Sequence, residues 1–169
     1  MRWQCLFILL PLLAKAETAR VEIRASEVWL IVDGSQRQLT RDGKAKVGVE
    51  LSPARKSIAY LEQCSAQHPC MPSVVVLDLD GQRLKSFRPS GVRGEPGCAS
   101  IWSMTWTGDG VIAVECHINP SLNDYIETDI ATSETLRHLL GLDFTPSPDG
   151  AWIAHTGWIV HFGPPVRAE

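Results

Sequence analysis

The cysteines are the residues of this chain whose type and spacing point most directly to chemistry. Cys64, Cys70, Cys98 and Cys116 make an even set, and in an oxidising compartment four cysteines allow three disulfide pairings. We expect Cys64 to pair with Cys70 and Cys98 with Cys116. The first link would join the ends of two neighbouring strands, and the second would clamp two strands across one turn. A zinc site is the alternative, but the spacings contain no C-x-x-C pair.

Other side chains capable of binding or reaction do not form a complete signature. His117, His155 and His161 could meet on neighbouring strands and bind a metal, but satisfied or exposed strand histidines are the more common outcome. A serine hydrolase needs a Gly-x-Ser-x-Gly nucleophile elbow, and this sequence lacks one. We therefore expect no catalytic residue, no metal site and no cofactor, and we predict that the protein is not an enzyme.

The charge balance argues against one class of partner. The chain of 169 residues carries 16 Lys and Arg against 19 Asp and Glu, a formal net charge of -3. This balance gives no broad attraction to phosphate. Nucleic acid is therefore not an expected partner.

Residues 1–16 have the three-part layout of a secretory signal peptide. A short basic start precedes the apolar run 5–13, and Ala14-Lys15-Ala16 forms a small-x-small cleavage site. The run is far shorter than the roughly 20 residues needed to cross a bilayer, so we expect no membrane span. An N-terminal core strand is the alternative. Cleavage would remove Cys5 and leave residues 17–169 as one β domain, secreted or periplasmic.

The elements that must position these residues are predicted to be short strands. The 13 Gly and 11 Pro residues lie between stretches rich in Val, Ile, Thr and Trp, which is typical of strands joined by tight turns. Trp102, Met104 and Trp106 alternate with polar residues, which predicts a shared core face, and we expect Trp152 to pack similarly. Residues 134–140 are predicted as a strand, because two leucines make too short an apolar stripe for a helix.

Two sets of internal repeats organise these strands. The first set occupies residues 51–60, 106–114 and 146–155, and each copy is a turn followed by an Ile-Ala strand. The third copy has its Ser, Pro and Gly where a type I turn favours them. The predicted turn residues are Ser52 and Pro53 in the first copy, Gly108, Asp109 and Gly110 in the second, and Ser147, Pro148, Asp149 and Gly150 in the third.

The second set consists of strands that end in aspartate, at Asp33, Asp80 and Asp129. Both sets repeat with a mean period of about 48 residues, which indicates a repeated supersecondary unit. We expect these aspartates to cap turns rather than to act in catalysis or calcium binding.

One repeat contains four predicted strands. About four strands in a unit of 40 to 50 residues are typical of a propeller blade. The predicted fold is therefore all-β, with antiparallel four-stranded blades of a partial or truncated β-propeller of about three repeats, and a non-repeating β-sandwich is the alternative. The four strands are Ile58–Leu61, Val74–Asp78, Arg83–Phe87 and Ile101–Trp106.

These repeats resemble those of the TolB-like β-propellers. The resemblance rests on Leu39-Thr40, on Leu51-Ser52-Pro53 followed by Ile58-Ala59-Tyr60, and on residues 147–155, and it spans nearly all of residues 17–169. Ala54-Arg55 departs from the pattern by replacing Asp-Gly, as does Thr107-Gly108 by replacing Ser-Pro. The resemblance implies an architecture and no single activity, because members serve as periplasmic scaffolds and as caps on secreted serine peptidases.

The expected number of blades shapes the functional prediction. About three blades fall short of the roughly 4 to 8 that close a ring, and open strand edges invite pairing with another chain. We therefore predict an exported, non-catalytic module that binds another protein or missing C-terminal blades. The alternatives are the propeller part of a larger secreted serine peptidase, and a glycan or small-molecule binder that uses exposed Trp side chains.

Overall fold

The protein folds entirely into antiparallel strands over the residues that the structure describes, which confirms the predicted all-β class. The computed structural model describes residues 18–64, 72–89, 100–119, 122–149 and 151–156. The strands in these ranges are β1 (Ala19–Arg24), β2 (Glu27–Val32), β3 (Ser35–Gln38), β4 (Lys46–Leu51), β5 (Ser57–Glu62), β6 (Ser73–Asp78), β7 (Arg83–Phe87), β8 (Ile101–Gly108), β9 (Val111–Asn119), β10 (Leu122–Asp129), β11 (Thr135–Pro146) and β12 (Ile153–Thr156).

The strands form three sheets in which chain neighbours are also hydrogen-bonded neighbours. Sheet A contains β1 to β3, sheet B contains β4 to β7, and sheet C contains β8 to β12. Within sheet C, β11 pairs with β10 as far as Gly141 and with β12 from Leu142 onward. We call the second pairing hairpin D, consisting of residues 142–146 and β12. The bend between the two halves lies at Asp143, which has a positive φ of 53°.

Sheet B lies between the other two sheets, because alternate residues of its central strands are buried on opposite sides. Ile58 and Tyr60 pack against sheet A, in one cluster with Val28 and Leu30. The intervening Ala59 and Leu61 pack against sheet C, in a cluster with residues of β8 to β10. The period of two that places successive side chains on opposite faces thus gives sheet B two apolar faces.

The first strands of the sheets lie side by side. β4 is adjacent to both β1 and β8. The backbone N–H of Trp106 in β8 donates to Glu50 Oε2 in β4 at 3.2 Å, and the N–H of Ala54 donates to Asp109 Oδ1 at 2.7 Å. Meander sheets that stack face to face around neighbouring first strands have the arrangement of propeller blades.

The boundary of a blade differs from the predicted one. All four predicted segments are strands, but Ile101–Trp106 belongs to β8 and begins sheet C. The first strand of sheet B is instead β4, whose polar and glycine-containing sequence KVGVEL lacks an apolar run. The pairing of β4 with β5 shifts register between Val47 and Glu50, a bulge that an alternation pattern does not reveal.

The two predicted repeat sets correspond to two kinds of hairpin. The first set joins β4 to β5, β8 to β9 and hairpin D, and the second joins β2 to β3, β6 to β7 and β10 to β11. Sheet A therefore corresponds to the last three strands of a blade, and hairpin D to the first two. The strand predicted over residues 134–140 is present as the first part of β11.

A buried lysine fixes the segment that leads from sheet A into sheet B. The Lys46 side chain is 0% exposed, and its Nζ lies 3.5 Å from Glu27 Oε2 and pairs with Asp42. It also donates to the carbonyl oxygens of Ser26 at 3.0 Å and Lys44 at 2.9 Å. These carboxylates and carbonyl oxygens replace the water that a buried ammonium group loses.

Candidate interaction surface

Sheet C has one covered face and one that points away from sheet B, which we call the far face. Met104 and Trp106 of β8 are register partners of Val114 and Ile112 of β9, and all four are buried against sheet B. The residues between them therefore lie on the far face. They are Ser103 and Thr105 of β8, Ala113 and Glu115 of β9, Tyr125 and Glu127 of β10, and Arg137 and Leu139 of β11.

Hairpin D packs on part of the far face. Phe144 and Ile153 form a cluster with Ala113, Tyr125 and Leu139, and the Tyr125 and Phe144 ring centroids lie 5.0 Å apart. This cluster is much smaller than the two that enclose sheet B. Fewer apolar side chains therefore hold hairpin D on sheet C than hold sheet A or sheet C on sheet B.

The hairpin approaches sheet C through a glycine. A Cβ on Gly141 would lie 2.9 Å from His155 Nδ1 and 3.1 Å from the carbonyl oxygen of Thr156. These distances are too short for a side chain. Gly141 thus lets β11 leave sheet C and continue directly into hairpin D.

A closed polar network lies beside this contact. The Tyr125 hydroxyl donates to Glu127 Oε1 at 2.9 Å, and Arg137 Nε lies 3.4 Å from Glu127 Oε2. Burial and the adjacent Glu127 carboxylate raise the pKa of Tyr125. The tyrosine therefore stays protonated as a donor, and the arginine neutralises Glu127.

A second carboxylate on the far face has no such cation. Burial and the Asp143 carboxylate raise the pKa of Glu115, and a hydrogen bond from Ser103 opposes that rise. Asp143 accepts a hydrogen bond from the Thr156 hydroxyl at 2.9 Å. Within the described ranges, Glu115 forms no ion pair. This end of the far face therefore combines two acidic groups.

An exposed aromatic pair lies at the start of β8. The Trp102 side chain is 69% exposed, and its ring centroid lies 5.5 Å from that of His117. Asn123 Oδ1 lies 3.3 Å from His117 Nδ1. The core position predicted for Trp102 is wrong, because a bulge in β8 turns this residue out, whereas Met104 and Trp106 are buried as predicted. Trp152 is also exposed, to 78%, because it follows a turn instead of lying within β12.

The histidines predicted as possible metal ligands are placed separately. His117 lies against Trp102, His155 lies 5.6 Å from the Phe144 ring centroid, and His161 lies outside the described residues. His138 pairs with Asp124 on the side of sheet C that faces sheet B. No group of three His, Cys, Asp or Glu side chains suited to a metal occurs in the part of the chain that the structure describes.

The cysteines can be compared with the predicted pairing only in part. Cys64 and Cys116 are within the described residues, and both take part in disulfide bonds. Cys116 is buried in the cluster between sheets B and C. Cys70 and Cys98 lie outside the described residues, so the pairings Cys64 with Cys70 and Cys98 with Cys116 stay predictions.

The predicted turn residues of the first repeat set lie between paired strands. The Ser52 hydroxyl accepts from the N–H groups of Lys56 and Ser57, both at 3.1 Å. The Ser147 hydroxyl similarly accepts from the N–H of Trp152 at 3.0 Å. These serines stabilise the turns that follow them. The other predicted turn residues lie at the ends of the three hairpins of this set; they are Pro53, Gly108, Asp109, Gly110, Pro148 and Asp149. Gly150 is outside the described residues.

The aspartates of the second set differ from one another in their contacts. Asp129 Oδ1 accepts from the N–H groups of Thr132 and Ala131, and these hydrogen bonds lower the pKa of Asp129. In the β6–β7 turn the same contacts are made by Asp78, while Asp80 pairs with Arg37 of sheet A at 2.8 Å. Asp33 has a positive φ of 48° and accepts from the Thr18 N–H at 3.1 Å.

No protein-family profile and no curated protein matches the chain. Among solved structures, the chain is similar to the crystal structure of TolB from Acinetobacter baumannii, with a TM-score of 0.48 and 18% sequence identity. The similarity covers 73% of this chain and 30% of that chain, so this chain spans less than a third of that protein. TolB is a β-propeller protein, the kind that the sequence repeats resemble.

None of the described residues forms a helix that could cross a membrane.

Proposed function

We propose that this protein is an exported, non-catalytic interaction module that binds a strand of another polypeptide at the edge of hairpin D. The partner is a different protein, a second copy of this chain, or further blades. The observation that carries the proposal is the two-stranded state of hairpin D beside the four strands of sheet B.

Strand addition fits the chemistry of this edge. β12 is the outermost strand of its sheet over the described residues, and it pairs with β11 through Thr156, Ala154 and Ile153. An edge strand presents N–H and C=O groups that an added strand satisfies. The added strand would also enlarge the small apolar cluster of Phe144 and Ile153.

The test of this proposal is light scattering on chromatographically separated protein, from low to high micromolar concentration. We expect the mature chain to self-associate. Ala154→Lys places a charge on exposed residue 154 of β12 and should weaken association about tenfold, because edge lysines block strand addition. Leu84→Lys is the matched control, because Leu84 is an exposed residue on β7, the edge of sheet B. A monodisperse monomer at every concentration would exclude a second copy of this chain as the partner.

Export is the second element of the proposal, supported by the layout of residues 1–16 and by the disulfide-bonded state of Cys64 and Cys116. Peptide mapping of unreduced exported protein should yield an N-terminus at Glu17 and the links Cys64–Cys70 and Cys98–Cys116. Each link is expected to stabilise the fold by about 2 to 4 kcal/mol. Free thiols at all four positions would contradict both the pairing and the export.

The hypothesis of a peptidase propeller has a separate test. The sequence downstream of Glu169 in the source genome would have to encode further blades and a Gly-x-Ser-x-Gly segment. A downstream sequence without such a segment would favour the non-catalytic module.

A further inference from the structure

The exposure of Trp102 results from a defined backbone feature. Ile101 is the register partner of Cys116 and Ser103 that of Glu115, so Trp102 is the extra residue of a β-bulge. Ile101 packs on the core and Met104 is buried, which anchors the strand on both sides of the bulge. Bulges of this kind often aim a side chain at a binding site. The indole is therefore presented from a fixed backbone.

Neighbouring strands fix the surroundings of the indole. His117 of β9 lies beside it with an interplanar angle of 49°, and Asn123 of β10 contacts the His117 ring. Ile118, which is half exposed, follows His117 on the same strand. Three adjacent strands thus build one small surface, with an open aromatic ring at its centre.

Two acidic groups of the described residues lie beside this surface. Ser103, next to Trp102, donates to Glu115, and Asp143 lies near enough to Glu115 to disfavour its ionisation. The nearest arginine on the far face, Arg137, is already paired with Glu127. A cation brought to this place would relieve the repulsion between the two carboxylates.

We propose that Trp102, His117 and Glu115 form a binding site for an arginine side chain of a partner protein. A guanidinium group stacks on an indole face and donates hydrogen bonds to a carboxylate at the same time, and its charge strengthens both contacts, whereas a neutral amide lacks the cation–π and ion-pair attraction. The site deepens the proposed function, since it names a chemical feature of the partner. It is nevertheless distinct from the β12 edge at which strand addition is proposed.

The test is a titration followed through the indole N–H signals in NMR, with the Ala154→Lys variant of the mature chain as the receptor. This background keeps the two proposals separable, because strand addition is expected to be weakened in it. The probe is a capped peptide with two arginines, and the matched peptide carries citrulline, which has the same shape without the charge. We expect the arginine peptide to shift the Trp102 signal and the citrulline peptide to bind at least about tenfold more weakly.

Substitutions assign the binding to this surface. Trp102→Ala should weaken the binding of the arginine peptide about two- to thirtyfold. Glu115→Gln should also weaken this binding, while it leaves the indole in place. Trp152→Ala removes another exposed indole and should change nothing. Equal affinity for both peptides, or no effect of Trp102→Ala in a folded variant, would overturn the proposal. A neutral oligosaccharide that shifts Trp102 while the arginine peptide does not would assign the site to glycans instead.

Discussion

Sheet B and hairpin D are copies of the same repeat in very different surroundings. Both contain a turn that leads into an Ile-Ala strand, at Ile58-Ala59 in sheet B and Ile153-Ala154 in hairpin D. In sheet B both residues are buried, because sheets A and C cover its two faces. In hairpin D, Ile153 is half-buried and Ala154 is exposed. The local sequence thus specifies the hairpin, and packing against neighbouring sheets determines how much burial stabilises it.

The largest expected effect concerns sheet B, the enclosed region, where Lys46 links sheet B to sheet A. Lys46→Met removes the cation and leaves Glu27 and Asp42 without it, at an expected cost of about 3 to 5 kcal/mol in urea unfolding. Lys44→Met is the control, because Lys44 forms a partly exposed pair with Glu62 and should cost less than about 1 kcal/mol. A similar cost for both variants would show that the buried network does not hold the two sheets together.

The same network predicts a pH dependence. Burial raises the pKa of Glu27, but hydrogen bonds from Thr40 and Gly43 and the Lys46 charge outweigh it and lower the pKa overall. The pKa of Asp42 is also lowered, against the effect of burial, by Lys46 and the Lys44 N–H. Groups with lowered pKa values stabilise the fold above their ordinary range, and this stability is lost as the pH falls through the lowered values.

Acid titration of stability should therefore separate the wild type from Lys46→Met. The wild type should lose free energy of unfolding between neutral pH and about pH 3, and the variant should lose less of it, because its carboxylates are no longer held ionised. Parallel acid profiles for the two proteins would contradict this assignment.

A smaller effect compares the two isoleucines directly. Ile58→Ala should cost about 2 to 5 kcal/mol, because it opens a cavity between sheets A and B. Ile153→Ala should cost about 1 kcal/mol, because Ile153 is half-buried at the margin of its cluster. Urea unfolding of both variants measures the difference. Equal costs would show that hairpin D is covered as fully as sheet B.

The features that could be predicted from the sequence are local. The turns before Ile58, Ile112 and Ile153 are specified by nearby Ser, Pro, Asp and Gly residues, and all three are followed by strands in the structure. The alternation of apolar residues predicted which segments are strands, and the repeat period predicted a propeller blade.

Other features depend on contacts distant in sequence, and no local pattern specifies them. β4 is a strand because β5 pairs with it and β1 and β8 flank it, not because KVGVEL has a strong strand pattern. The outward position of Trp102 depends on a one-residue register shift against β9. The burial of Lys46 depends on two carboxylates that the fold brings to it. The surface around Trp102 depends on the register shift, so the sequence predicted the blades better than the site.

The central proposal, that the β12 edge of hairpin D pairs with an added strand, is tested most directly by hydrogen–deuterium exchange as a function of protein concentration. In dilute protein, peptides covering residues 142–156 should exchange fast, while those covering β5 and β6 should exchange slowly. At high concentration we expect residues 142–156 to become protected, with no change in β5 and β6. Protection of residues 142–156 as strong as that of sheet B at the lowest concentration would contradict the account.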